Sequence, residues 1–286
     1  MNARSIRDVI SQDGASLESL LHLSRAEARI EVQMLLQRTL QVARAYLLAY
    51  PERELSENET AVYEAMLQRR QAGEPVAHIL GEREFFGLSF KVTPSTLIPR
   101  PETELLVELA LQHLPSGHAC RVLDLGTGSG AIALAIAHSR PDVEVVGVDA
   151  SPAALEVARE NAQRLGLRNA NFVQSDWFSA LAGQRFDLIV SNPPYIAAGD
   201  EHLSQGDVRF EPLSALASGA DGLDDIRRIV AQAQGYLERD GWLLLEHGYD
   251  QAPRVREILL QGDYVRIFSA RDLAGIERVS GAACGK

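Results

Sequence analysis

The chain has 286 residues, 46% of them apolar, two cysteines and a formal net charge of −11. That length and composition belong to a packed globule of more than one domain, while Cys120 and Cys284, far apart and without His or Cys at ligand spacing, support neither a disulfide framework nor a metal site. The acidic balance works against phosphate neutralisation as the main binding mode, and no apolar run reaches the length of a membrane span, Arg4, Arg7 and Asp8 also breaking any early apolar segment; a cytoplasmic protein with no membrane attachment and no direct nucleic-acid partner is expected.

Residues 1–82 read as a helical domain. Ser24 with Glu27 and Ser56 with Glu59 have the spacing of capping boxes, and Ile30, Met34, Leu35 and Leu40 predict an apolar stripe. Gly73 and Pro75 end the second long helix, as a left-handed glycine followed by a proline should. Residues 83–98 carry aromatic and β-branched side chains around Gly87 and predict a β-hairpin linker. Residues 99–286 then alternate strand-like and helix-like runs, which predicts a mainly parallel sheet covered on both faces. No internal repeat or low-complexity tract interrupts them.

Val122 to Leu125 is the first such strand, and it runs into Gly126, Thr127, Gly128, Ser129 and Gly130 before a helix over Ala131 to Ala137. Glycines let the backbone turn tightly and approach a ligand. The dinucleotide fingerprint places its third glycine one residue later than this loop does, and Asp124 at the strand tip suits the two positive charges of S-adenosylmethionine better than a pyrophosphate. A strand over Val143 to Val148 ends in Asp149, about 20 residues past the glycines, where an acid can take both ribose hydroxyls. Its other reading is a turn residue, but Ser151 and Pro152 already supply the helix cap. Asn171 to Gln174 ends in Ser175, Asp176 and Trp177, so an acid and an indole reach a third tip; they either flank the adenine or, for Trp177, pack under a loop.

Phe186 to Val190 leads into Asn192, Pro193, Pro194 and Tyr195. Two prolines stop further strand pairing and stiffen the tip, leaving an Asn side-chain oxygen beside a rigid main-chain carbonyl: two acceptors for one NH2 group, with Tyr195 as a flat wall. The plain alternative is a strand that ends in a proline turn. Residues 197–222 form either a loop over the substrate or a surface insertion. Asp224 to Leu237 predicts a helix, Trp242 to Glu246 a strand with His247 at its end, Gln251 to Leu260 a helix, and Tyr264 to Ser269 with Glu277 to Ser280 the final strands.

The chain resembles the bacterial HemK or PrmC family, N5-glutamine methyltransferases of peptide chain release factors. The likeness rests on PVAHILG from Pro75, EFFGLSF from Glu84, LIPRPETE from Leu97, DLGTGSGAIALA from Asp124, QSDWFSAL from Gln174, SNPPY from Ser191 and QGDVRFEPLSAL from Gln205, with His78 standing where many relatives have Tyr. It implies an α/β, seven-stranded Rossmann-like S-adenosylmethionine-dependent methyltransferase domain with an antiparallel last strand, behind a small N-terminal helical domain and β-hairpin linker. It implies cofactor contacts at Gly126 to Gly130, Asp149 and Trp177, to which Asp124, Asp176 and Asn192 are added from their strand-tip positions. Glutamine binding falls to Asn192 to Tyr195, with Asn192, Pro193 and Tyr195 doing the catalytic work and class 1 peptide chain release factors as the partner. From the residues alone, an adenine-N6 methyltransferase of DNA or RNA offers the clamp the same NH2 group. A dinucleotide oxidoreductase is disfavoured by the glycine spacing, and a non-catalytic adaptor by the intact Asn192 and Tyr195.

Overall fold

Three serines set the starts of the N-terminal helices in this computed structural model, which describes residues 4–115 and 119–285. Ser5 caps α1 (Ile6–Leu21) and Ser24 caps α2 (Arg25–Leu40); after the short α3 (Arg44–Ala49), Ser56 caps α4 (Glu57–Gln71). Each serine accepts the backbone N–H three residues on, and Asp8, Glu27 and Glu59 accept the serines' own N–H in return. The boxes expected at Ser24 and Ser56 are present, and Ser5 is a third. The stripe of α2 differs: Ala28, Val32, Leu35 and Leu36 are buried while Ile30 is 47% exposed. Counting only large side chains skipped Ala28, whose spacing to Val32 defines the inward face. Gly73 adopts φ +94° beyond α4, and Pro75 leads into α5 (Val76–Leu80).

This first unit comprises the described residues up to Gly81 together with Ser204–Phe210. Arg70, 2% exposed, shows how the distant segment joins it. The guanidinium donates to both Glu31 oxygens at 2.7 and 3.1 Å, to Asp207 at 2.9 Å and to the carbonyls of Gly73 and Glu74 at 3.2 and 3.1 Å.

The second unit is Glu82–Leu203 with the described residues from Glu211 onward. It opens with the hairpin β1 (Glu82–Phe85) and β2 (Leu88–Lys91), whose two-residue turn, Phe86 and Gly87, has φ of +52° and +75°. Both central residues being left-handed is the turn that matches strand twist. The main sheet contains β3 (Arg121–Leu125), β4 (Glu144–Asp149), β5 (Ala170–Gln174), β6 (Phe186–Ser191), β7 (Leu237–Glu246), β8 (Val265–Arg271) and β9 (Glu277–Ala283), in the order β5-β4-β3-β6-β7-β9-β8. Six strands run in one direction, β8 among them, and β9 runs antiparallel between β7 and β8, so the expected seven-stranded sheet with an antiparallel final strand is observed. Side chains alternate between the two layers: Val122 packs with α6 (Glu104–His113) and α7 (Ala131–Ser139), whereas Leu123 and Leu125 pack with α9 (Asp224–Ala233) and α10 (Ala252–Gln261), α8 (Pro152–Leu165) adding Ala162 to the first layer.

One boundary moved. The helix expected to reach Leu237 stops at Ala233, because Leu237 pairs with Phe186 on β6, and the strand then passes Asp240 at φ +61° before Trp242 resumes the register opposite Leu188. Pairing to a neighbour overrides the local helix preference of this stretch. The strand order reverses at β3, which has β4 on one side and β6 on the other, so the crevice of this fold opens above the tips of these strands.

Candidate active site

Above those tips lies a cavity of about 290 Å³, lined among others by Gly126, Gly128, Asp149, Trp177, Asn192 and Pro194. Three segments read separately in the sequence therefore meet at one place. Part of the wall comes from Pro212, Ser214 and Ala215 in the long connection after β6. The neck of that connection is closed by Ile196 and Ala198 donating to Leu216 and Gly219 and by Ser218 donating to Ile196, at 2.8 to 2.9 Å.

The five loop residues divide into two groups. Gly126 and Gly128 border the cavity with φ of +71° and +54°, and a Cβ on Gly128 would meet nothing within 4 Å, so its glycine serves the backbone turn rather than packing. Thr127, Ser129 and Gly130 are buried behind the loop and do not border the cavity, contrary to the expectation that all five residues face a ligand. A Cβ at Gly130 would meet Leu134, Ala158 and Phe172 at 3.1 to 3.3 Å; close packing demands this glycine. Asp124 is corrected too. It was placed against the cofactor's positive charge, but its carboxyl is fully buried, with Oδ2 accepting the Thr127 hydroxyl at 2.7 Å and the Ala133 N–H at 3.2 Å and Oδ1 lacking a partner. Burial pushes it up to about 7. The signal lay in its place within the strand: β3 is central and covered on both faces, so Val122, Leu123, Asp124 and Leu125 are all buried. What it holds is the loop.

Asp149, read as left free by the Ser151 cap, is engaged. Its Oδ2 accepts the Gly128 N–H and its Oδ1 the Ser151 N–H, each at 2.9 Å, while Ser151 and Pro152 cap α8 as expected. A carboxylate has about four acceptor sites, so these two bonds orient Asp149 and leave a lone pair on each oxygen. Trp177 stands at φ +51° with its ring 3.5 Å from where a Gly126 Cβ would lie, and its carbonyl accepts the Ser175 hydroxyl at 2.7 Å. Asp176 pairs with Arg228 at 2.6 Å at the rim.

Asn192 borders the cavity, half-buried, and its Nδ2 donates to the Thr103 hydroxyl at 3.2 Å. With Nδ2 engaged there, Oδ1 remains available as an acceptor. Pro193 is buried, Pro194 borders the cavity, and Tyr195 is half-buried outside its wall, with its hydroxyl donating to Glu246 at 3.5 Å and its carbonyl accepting from Gln251 at 3.0 Å. Thr103 and Glu246 escaped the sequence reading, although Thr103 lies within LIPRPETE and Glu246 just precedes His247. Asn161 was also missed. Fully buried, it accepts from the Lys91 N–H at 2.7 Å and donates to the carbonyls of Lys91 and Ser129 at 3.0 and 2.9 Å, joining hairpin, α8 and glycine loop.

His247 follows the last residue of β7, fully buried; Nδ1–H donates to the Gly248 carbonyl and Nε2 accepts the Ser280 hydroxyl, both at 2.9 Å, and burial holds the ring below its ordinary value. Its bonds are structural, as the strand-end reading expected. Both cysteines are buried thiols that form no disulfide. Among the described residues, no three His, Cys, Asp or Glu side chains converge as a metal site, and no helix is long and apolar enough to cross a membrane.

Two family models match separate parts of the chain. A family model described as a methyltransferase domain matches residues 116–256, and one described as the PrmC N-terminal domain matches residues 16–81. The release factor glutamine methyltransferase of Escherichia coli K12 is 48% identical over 264 residues, 92% of this chain and 95% of that protein. That of Vibrio cholerae is 52% identical over 269 residues, 93% of each. Among solved structures, the hMettl16 catalytic domain in complex with MAT2A 3'UTR hairpin 6 covers 83% of this chain and 91% of its own at TM-score 0.57 and 16% identity, and a methyltransferase from Pyrococcus furiosus covers 78% and 98% at TM-score 0.53 and 18% identity. At those identities the structural likeness speaks for the fold.

Proposed function

This chain belongs to the release factor glutamine methyltransferase family, and from that premise we propose that it transfers a methyl group from S-adenosylmethionine to the side-chain amide nitrogen of the glutamine in the Gly-Gly-Gln motif of class 1 peptide chain release factors. The observation that carries the reading is the Asn192 to Thr103 bond, which leaves Asn192 Oδ1 as an acceptor for an incoming NH2 group.

The cavity residues suit this cofactor. Asp149 keeps acceptor capacity for a vicinal diol, Gly126 and Gly128 permit close backbone approach, and the Trp177 indole offers a flat face for a base. S-adenosylmethionine would supply an electrophilic methyl group on its sulfonium sulfur. The receiving amide nitrogen is a poor nucleophile, because its lone pair is delocalised, and nothing in Asn192 to Tyr195 is basic enough to deprotonate it. Placement has to do the work. Asn192 Oδ1 and the Pro193 carbonyl accept the two amide hydrogens, keep the nitrogen on line, and gain strength as positive charge develops there; with the methyl transferred and S-adenosylhomocysteine as the leaving group, the cationic nitrogen releases one of those hydrogens to water as a proton and returns to a neutral amide. Such orientation is worth roughly 7 to 11 kcal/mol in intramolecular analogues. Pro194 stiffens the acceptor pair and Tyr195 walls the glutamine side chain.

In this reading, residues 1–82 recognise the factor, residues 83–98 link, and residues 99–286 carry out the transfer in the cytoplasm. The test is mass spectrometry of the Gly-Gly-Gln tryptic peptide of a release factor after incubation with the protein and cofactor. One added methyl on Gln, lost with Asn192→Ala, is the expected result; methylation of DNA adenine in a parallel reaction, with the factor untouched, would overturn it.

A further inference from the structure

We propose that Gln251 is a positioning residue for the amide clamp: from the start of α10 its side-chain NH2 holds the Tyr195 carbonyl, and so fixes the far end of the segment from Asn192 to Tyr195. The proposal deepens the function proposed above and rests on it for its kinetic meaning.

The clamp has few main-chain bonds of its own. β6 pairs with β3 and β7 as far as Ser191, opposite Leu125 and Leu245, and there the ladder stops. Pro193 and Pro194 have no N–H to give. Among the described residues, the first hydrogen bond to the main chain beyond Ser191 is the one that Gln251 Nε2 donates to the Tyr195 carbonyl at 3.0 Å; the Ile196 N–H follows, donating to Leu216 at 2.9 Å. A strand therefore holds one end of the clamp and a side chain holds the other.

Which end of the Gln251 amide meets Tyr195 is settled by main-chain partners whose roles cannot be exchanged. The Gly248 N–H can only donate, and it reaches Oε1 at 2.8 Å; the carbonyls of Tyr195 and Asp221 can only accept, and they meet Nε2 at 3.0 and 3.4 Å. The Gln251 N–H also donates to the Gly248 carbonyl at 3.1 Å, and the residue is 7% exposed, so its side chain is anchored at both ends. Gly222 packs against the same Tyr195 carbonyl. It adopts φ +75°, and a Cβ there would collide with the Tyr195 oxygen and come within 2.8 Å of Gln251 Nε2, a space that only glycine leaves open. Without the Gln251 donor, the Tyr195 carbonyl has to move to find another partner, and Tyr195 and Pro194 move with it. A misplacement of about 1 Å at a reacting centre costs on the order of 100-fold in rate.

The test compares Gln251→Met and Gln251→Glu with the wild-type enzyme on an intact release factor at about pH 8.5, some four units above the ordinary value of a glutamate. Methionine keeps the length of the side chain without a donor; glutamate still accepts from Gly248 and has nothing to give Tyr195. In both, kcat should fall at least about 10-fold while cofactor Kd stays within about 3-fold of wild type. A side chain that only capped α10 through Gly248 would instead be rescued by glutamate. The bond itself is read by NMR: Tyr195 and Ile196 form the only Tyr-Ile pair in the sequence, so 13C-carbonyl tyrosine with 15N-isoleucine gives a single cross-peak for that carbonyl. It should shift in both variants. A cross-peak unmoved in Gln251→Glu, or kcat there equal to wild type, would overturn the proposal, and this variant decides alone if Gln251→Met fails to fold. A wild-type enzyme that leaves glutamine unmethylated would instead sink the functional reading, with the cross-peak still deciding on Gln251.

Discussion

Gly128 donates its backbone N–H to the Asp149 carboxylate at 2.9 Å, so the tip of β4 holds the glycine loop that leaves β3. The residue expected to bind the ribose is thus also a brace for the loop beside it.

Asp149→Ala should accordingly weaken cofactor binding through both roles. Losing hydrogen bonds to a charged group costs roughly 1.5 to 3 kcal/mol, which predicts a rise in Kd of at least about 10-fold. Asp149→Asn, with one accepting oxygen, should fall between. Calorimetric titration with S-adenosylmethionine measures both, and unchanged Kd in the Ala variant would remove Asp149 from the site.

Asn192→Ala separates binding from transfer. Turnover should drop about 100-fold or more, because the acceptor acts on charge that develops during transfer, while cofactor Kd changes little. Single-turnover kinetics beside a binding isotherm give the two numbers; equal losses in both would count against the clamp.

Arg70→Leu probes the first unit. Glu31 and Asp207 would lose their shared counter-charge, and stripping one partner from a buried ionic group costs about 3 to 5 kcal/mol. Denaturant unfolding of the full chain should show a large fall in midpoint for this unit, and proteolysis near Asp207 should accelerate. A midpoint shared with wild type would mean the pair contributes nothing net.

Asp124 gives a dependence on pH. Burial raises its carboxyl from 3.8 to about 7, so between those values the folded chain binds more protons than the unfolded one and stability falls as pH rises. The loss is complete above about pH 7 and amounts to something on the order of 4 kcal/mol. Asp124→Asn cannot titrate; the wild type should therefore lose stability relative to this variant between pH 5 and pH 8. Parallel curves from chemical unfolding would refute the assignment.

Much of the architecture was legible because its signals are local. A capping box spans three residues, the hairpin turn two, and the alternation of strand with helix needs only the period of apolar side chains; even the placement of Gly126, Asp149, Trp177 and Asn192 at strand ends follows from where each apolar run stops. Asp124 was misjudged although the information was present, since it lies inside a central strand whose two faces are both covered.

The remainder depends on pairs that no window joins. Thr103 meets Asn192 across 89 positions, Tyr195 meets Glu246 across 51, and Arg70 meets Asp207 across 137. Chain order therefore settled which chemical groups are available and that they gather at the ends of strands, because hydrophobic period and turn chemistry act over a few residues. The direction each group faces was settled only by packing: a buried donor or acceptor must find its partner wherever the folded sheet brings one, and that choice tied the Asn192 NH2 to Thr103 and the Asp124 carboxyl to Thr127 and Ala133.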